Sequence, residues 1–218
     1  MGKVIAIDGP SGAGKGTIAK LLAGKLGFSY LDTGALYRAA ALALREKGIN
    51  PEDSDEKLKN TLSVTDVSFK NDKVSLNGKD VSGEIRTAEM GHYSSVFSAR
   101  KVVRDFLLDI QRSASLNADL VAEGRDMTTV VFQGAWKKFY LDASVEERAR
   151  RRYLQLKEKG INITESEAKK DVVERDGRDS GRDIAPLKKA DDAVLIDSSN
   201  MTIDKVLENI MKVVRAGH

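Results

Sequence analysis

Nine consecutive residues, Gly9-Pro10-Ser11-Gly12-Ala13-Gly14-Lys15-Gly16-Thr17, have the types and spacing to grip a polyphosphate. The glycines let the chain bend until successive backbone N–H groups face inward as an anion nest. A helix beginning there adds the positive end of its dipole, and Lys15 then reaches the β and γ phosphates of a nucleotide. The hydroxyl stands at Thr17, one place later than in the general pattern Gly-x4-Gly-Lys-Ser/Thr. Two other groups stand where a ligand would meet them. Glu123-Gly124-Arg125-Asp126 leaves the carboxyl end of the apolar run Leu120-Val121-Ala122, and open α/β sheets bind ligands outside those ends. Arg175, Arg178 and Arg182 share one helix face if the helix runs through Gly177 and Gly181. By itself that charged stretch is a solvated, self-paired helix end; opposite a phosphate loop in the same chain it reads as a mobile lid.

Composition narrows the classes. A chain of 218 residues, 41% hydrophobic and 32% charged, suits one core with inserted subdomains. A net charge of +3 is too small for a nucleic-acid surface, and the arginines cluster as they would for a local anionic ligand. Without cysteine there is no disulfide or thiolate metal site, and two histidines, His92 and His218, do not make a zinc centre. Met1 leads straight into an apolar strand, which leaves no room for a signal peptide, and no apolar run approaches the ~20 residues of a membrane span. A cytoplasmic monomer without nucleic-acid or membrane partners is expected.

The elements that must position these residues alternate. Val4-Ile5-Ala6-Ile7-Asp8 reads as a buried strand, and Ile18, Leu21, Leu22 and Leu26 give the following helix its period, with Gly27 as its stop. Residues 28–32 form a second strand, and a helix from Thr33-Gly34 to about Lys47 buries Leu36, Ala40, Ala43 and Leu44. Pro51 opens a short helix capped by Asn50. Val67-Ser68-Phe69 and Val74-Ser75-Leu76 around Asn71-Asp72 read as a hairpin, Asn77-Gly78 as a further turn, and Val81 as the start of an edge strand. Ser98 caps a helix whose stripe Val102, Val103, Phe106, Leu107 and Ile110 leaves Arg100, Arg104 and Arg112 on a solvated face. Ser144-Val145-Glu146-Glu147 is a capping box. After the strand at 193–197, Thr202 caps a last helix whose face Ile203, Val206, Leu207, Ile210, Met211 and Val214 closes the core. The expected fold is α/β: a three-layer P-loop fold with a five-stranded parallel sheet of order 2-3-1-4-5.

The Gly-Lys-Gly-Thr variant of the loop resembles nucleoside monophosphate kinases. Further stretches resemble bacterial-type cytidylate kinases: Leu31-Asp32-Thr33-Gly34-Ala35-Leu36-Tyr37-Arg38, Val81-Ser82-Gly83-Glu84-Ile85-Arg86, Gly124-Arg125-Asp126-Met127, Phe139-Tyr140-Leu141-Asp142-Ala143-Ser144, and Glu174-Arg175-Asp176 with Arg178-Asp179 and Arg182. The resemblance covers nearly the whole chain. It implies one kinase unit: a core at 1–37, 99–147 and 183–218, a monophosphate-binding lobe with a small antiparallel sheet at about 38–98, and a helical lid at about 148–182. It implies transfer of the γ-phosphoryl of ATP to CMP or dCMP, in pyrimidine nucleotide metabolism. Gly9, Pro10, Ser11, Gly12, Ala13, Gly14, Lys15, Gly16 and Thr17 would hold ATP, with Mg²⁺ on the Thr17 hydroxyl. Thr33 and Arg38 would hold the acceptor, Arg38 on its phosphate. Arg104 and Arg125 would reach that phosphate or the cytosine ring. Asp126 would read the cytosine edge, and Asp179 and Arg182 would contact the acceptor's sugar and phosphate. Lys15, Arg151, Arg175 and Arg178 would stabilise the transferring phosphoryl. Asp32 and Glu123 are either second-shell carboxylates or structural caps. One departure stands out: Thr128 occupies the place of the second glycine in the family's Gly-Arg-Asp-Met-Gly-Thr, and a positive φ there would strain a β-branched residue.

Other classes fit less well. The Gly-Arg-Asp-Met stretch and the hairpin insert argue against adenylate or shikimate kinase types. No Asn-Lys-x-Asp stretch marks a GTPase-like switch. With 6% aromatic residues, scattered, there is no RNA-stacking platform.

Overall fold

The computed structural model describes residues 2–70 and 72–216; readings that name Met1, Asn71 and His218 fall outside them. In chain order, β1 (Val4–Asp8) passes through the glycine loop into α1 (Lys15–Leu26), followed by β2 (Ser29–Asp32), α2 (Thr33–Glu46) and α3 (Asp55–Leu62). Three short strands come next, β3 (Val67–Lys70), β4 (Lys73–Leu76) and β5 (Lys79–Asp80), then α4 (Ala88–Phe97) and α5 (Lys101–Ser113). The chain ends with β6 (Leu120–Gly124), a π-helical turn (Met127–Val131), β7 (Lys137–Asp142), α6 (Val145–Glu158), α7 (Glu165–Ser180), β8 (Val194–Asp197) and α8 (Ile203–Arg215).

The five longer-range strands form one parallel sheet in the order β2-β6-β1-β7-β8. Counted along the chain within that sheet, the order is 2-3-1-4-5. β1 is central and wholly buried, so nearly every residue in it is apolar. Its alternation assigns the two faces. Val4 and Ala6 join Leu120, Ala122, Leu36 and Leu107 in the core under α2 and α5. Ile5 and Ile7 join Val121, Phe139, Ile18 and Ile210 in the core under α1 and α8. Register sets Asp8 beside Gly124 and Asp32 beside Glu123, so the loops after β1, β2 and β6 leave the sheet at one edge. A separate antiparallel sheet, β3-β4-β5, lies between α3 and α4 in sequence. Asn77 and Gly78 both have positive φ, as a tight two-residue turn requires.

Several local expectations change. Asn50 does not cap α3: its N–H donates to the Asp53 carboxylate at 2.9 Å, making a turn that includes Pro51, and Ser54 takes the cap. β5 occupies Lys79–Asp80, and Val81 is buried just beyond it. Ser98 ends α4 rather than starting α5, and its hydroxyl donates back to the Ser95 carbonyl at 2.8 Å. Ser144 caps α6, but Glu147 does not fold back on it; the complete capping box is Thr164 with Glu167 on α7. α7 runs through Gly177 and stops at Gly181, so Arg182 lies beyond its end. Ile203 is exposed, and α8 closes the core with Val206, Leu207, Ile210 and Val214.

Candidate active site

The glycine loop crosses from β1 to α1 in contact with its neighbours. A Cβ on Gly9 would lie 1.9 Å from the Leu141 carbonyl oxygen, so only glycine fits there. Gly14 has φ 91° and opens α1 without a side-chain cap. That leaves first-turn N–H groups of α1 directed at whatever ligand lies before it. Lys15 is buried, and its Nζ donates to the Pro10 carbonyl at 2.8 Å. Burial, joined by the nearby Arg125 and Arg175 charges, pulls its ammonium down to about 7. Thr17, on the first turn of α1, is exposed to the cavity.

That cavity, of about 1010 Å³, lies between the loop and an arginine wall formed by Arg38, Arg86, Arg125, Arg151, Arg152 and Arg175. Arg38 pairs with Asp32 at 3.2 Å, and Asp32 also accepts the Ala35 N–H at 2.8 Å as the cap of α2. Asp32 therefore fits the structural alternative. Glu123 stands beside it at the end of β6. Burial and the Asp32 charge raise its carboxyl above the usual range, against the pull of Lys15 and Arg125. Burial and the Arg125 charge lower Arg175 to about 10. The Nε atoms of Arg38 and Arg175 are buried without a hydrogen-bond partner among the described residues. Buried donors without partners are costly, so this wall suits an anion.

A second cluster joins the first through Arg125, whose Nε donates to Asp179 at 2.7 Å. Burial works to raise the Asp179 carboxyl, but Arg125, Arg175 and Arg182 outweigh it and hold it below the usual range. Arg182 donates to the Ser98 hydroxyl at 3.1 Å, while its buried Nε and Nη2 have no partner among the described residues. Arg104, read from periodicity as solvated, is buried: it pairs with Asp126, donates to the Ser98 carbonyl at 3.2 Å and lies 5.4 Å from the Tyr37 ring centre. Arg104, Asp126, Asp179 and Arg182 thus meet from α5, the β6 loop and the end of α7.

The remaining site residues are placed as follows. Thr33 donates its hydroxyl to the Glu123 carbonyl at 2.7 Å, joining α2 to β6. Arg151 reaches the Ala13 carbonyl at 3.2 Å and the Ser198 carbonyl at 2.7 Å, bracing the loop against the end of β8. Arg178 turns away from the cavity lining and donates to the Ser95 hydroxyl on α4 at 3.1 Å. Thr128 is not strained, because positive φ is confined, among the described non-glycine residues, to Asp72, Asn77 and Ala185. Its hydroxyl and N–H donate to Asp8 at 2.6 and 2.7 Å, and burial still raises the Asp8 carboxyl to about 6. The roles of Arg148 and Ser198 leave no trace in the sequence beyond charge and hydrogen-bonding capacity. Arg86 is visible there only as part of the Val81–Arg86 motif, and Lys159, which also lines the cavity, only as a charge. Among the described residues no cluster of three or more His, Cys, Asp or Glu side chains holds a metal, and no helix is long and apolar enough to cross a membrane.

Comparison with known proteins agrees with this geometry. The family model described as Cytidylate kinase matches residues 5–216. A cytidylate kinase of Thermodesulfovibrio yellowstonii is 50% identical over 216 residues, 97% of each chain. One from Thermosipho melanesiensis is 49% identical over 211 residues, 97% of this chain and 96% of its own. A solved structure of an uncharacterized protein from Eubacterium ventriosum shares the fold, with a TM-score of 0.56, 12% identity and 99% of both chains covered. A glycine loop closing on buried lysine, an arginine wall and a match along almost the entire sequence converge: the chain belongs to the cytidylate kinase family.

Proposed function

We propose that this protein transfers the γ-phosphoryl group of ATP to CMP or dCMP, giving ADP and CDP or dCDP. The observation that carries the reading is the second cluster. A buried Arg104–Asp126 pair and the donors of Arg182, unpartnered among the described residues, join the cavity's arginine wall through Asp179 and Arg125, in a chain of this family. ATP occupies the loop from Gly9 to Thr17. The acceptor occupies the side formed by Thr33, Arg38, Arg104, Arg125, Asp126, Asp179 and Arg182. Asp126, an acceptor-only carboxylate, suits the exocyclic amino group that cytosine has and uracil lacks. Residues at about 38–98 form the acceptor lobe and those at about 148–182 the lid. The protein works as a cytoplasmic monomer without nucleic-acid partners.

The chemistry needs little proton handling. The attacking oxygen belongs to a phosphate that is mostly ionised at neutral pH, so no strong general base is required. The barrier is the meeting of two anions, and preorganised positive groups offset it. Lys15 releases the Pro10 carbonyl and turns to the donor phosphates, whose charge restores its own. Arg38 and Arg125 hold the acceptor phosphate, and Arg175 faces the gap between the two nucleotides. Arg151 acts by bracing the loop, and Arg178 by joining α7 to α4 through Ser95. The exposed Thr17 hydroxyl would hold Mg²⁺ together with the donor phosphates, since the described residues offer no cluster of three or more His, Cys, Asp or Glu for it. When bound, it neutralises charge on the donor phosphates. Closure of the lid keeps water from competing as acceptor.

The test is ADP release with CMP, dCMP, UMP, AMP and shikimate as acceptors. Turnover is expected with CMP and dCMP at least tenfold above the others in kcat/KM. Absence of CMP-dependent ADP release overturns the reading.

A further inference from the structure

We propose that Asp176 is a positioning residue for phosphoryl transfer: it fastens the lid helix to the phosphate loop and holds the loop in its phosphate-binding shape. Asp176 belongs to the charged motif at 174–182, yet it lies outside the arginine wall and faces the loop instead. Its Oδ1 accepts the Ser11 N–H at 2.9 Å, across 165 residues of sequence. Its Oδ2 pairs with Arg148 Nη1, and that same nitrogen donates to the Ser11 carbonyl at 3.1 Å. Arg148 is fixed in turn by its Nε on the Ala143 carbonyl at 2.9 Å. Both peptide groups of Ser11 are therefore held, one by α7 and one by α6. α6 also abuts the next residue, since a Cβ on Gly12 would lie 2.8 Å from the Arg148 carbonyl oxygen.

The loop needs an outside hold. Gly9, Gly12 and Gly14 all have positive φ, and glycine-rich backbone is the most conformationally free the chain can offer. Its amides bind phosphate only if they converge, and the clamp acts at Ser11, just before the amides that do so. The same turn of α7 carries Arg175 on the cavity wall and Asp179 against Arg125. Asp176 thus sets the lid's arginines and the loop's amides in one frame, and a charge-assisted hydrogen bond on each oxygen makes that frame stiff. The lid pivots about this point rather than lifting away from the loop.

The inference rests on reading the cavity as the ATP and CMP site, so the test includes a measurement that needs no acceptor. In Asp176→Asn the amide NH2, a donor, meets either Arg148 or the Ser11 N–H, and one clamp bond is lost. KM for ATP, and the Kd of ATP measured by direct titration, rise about tenfold, equivalent to about 1.4 kcal/mol. KM for CMP changes less than threefold, and Asp176→Glu recovers part of the loss. The double variant Arg148→Leu/Asp176→Ala removes the buried Arg148 and the half-buried Asp176 together, so neither charge is left unpaired. It keeps the wild-type Tm within a few degrees, by the same reasoning, but retains the ATP defect. ATP affinity within twofold of wild type in the double variant overturns the proposal, as does an equal rise in both KM values for Asp176→Asn. A wild-type protein that binds ATP but does not phosphorylate CMP defeats the proposed function instead, and leaves the ATP titrations to decide on Asp176.

Discussion

Lys15 shows what single residues contribute. It is a lysine pulled down to about 7 by burial and by two neighbouring arginines, resting on the Pro10 carbonyl. Phosphates favour the charged form, so their arrival raises its pKa again and the protein takes up a proton. Proton uptake on ATP binding therefore grows, and affinity falls, as pH rises above about 7. Calorimetry in buffers of different ionisation enthalpy measures this directly, and the uptake disappears in Lys15→Ala. Zero uptake at about pH 8 in the wild type contradicts a lowered Lys15 ammonium in the free protein. Arg104 marks where residue-level reading failed. Helical period placed it on a charged face, and charged faces are ordinarily solvated. Its burial depends on Asp126, a partner from a different element, and periodicity within α5 carries no trace of that pairing. Only the resemblance to cytidylate kinases, carried over position by position, assigns Arg104 to the acceptor.

At the scale of elements, most of the fold was legible. Apolar runs of strand length followed by helical periods give β1-α1 and β2-α2: β1 is buried on both faces of the parallel sheet, and β2, at its edge, buries Leu31 and Asp32. Caps were less legible, since one side chain has several possible partners. Glu147 follows Ser144 at the capping-box distance, but Arg150 and Arg151 each donate to it at 2.8 Å. A charge-assisted bond is stronger than a return to a neutral N–H, and the Ser144 N–H goes to Ser199 at 2.8 Å instead. Together the two arginines hold the Glu147 carboxyl well below the usual range, to about 2. α8 was read correctly as the closing helix except at Ile203, which turns to the cavity mouth. Ile210 is fully buried against α1 and the sheet. Ile210→Ala is expected to lower unfolding free energy by about 2–5 kcal/mol, read from urea denaturation, with KM values for both nucleotides within twofold of wild type. A loss below about 0.5 kcal/mol, the ordinary size of a surface substitution, contradicts α8 as the closing layer.

At the scale of the whole molecule, the proposed acceptor side is assembled from distant segments. Arg104 comes from α5, Asp126 from the loop after β6, Asp179 from the last turn of α7, and Arg182 from just beyond it. The sheet order places β6 next to β1, so the loop proposed to read the acceptor and the glycine loop leave neighbouring strands, with Gly124 beside Asp8. Asp8 then ties the two loops together by accepting the Met127 and Thr128 N–H groups at 2.9 and 2.7 Å. Composition points only to a local anion, because the residues that converge here come from segments far apart in the chain. The most direct test is the ratio of kcat/KM for CMP to that for UMP, measured in the wild type and in Asp126→Asn. An aspartate accepts from the cytosine amino group, whereas an asparagine can also donate to the uracil carbonyl. The ratio is expected to fall at least tenfold in the variant, a change that partial unfolding cannot mimic because both acceptors share one enzyme population. An unchanged ratio would contradict Asp126 as the base reader and the acceptor site built around it.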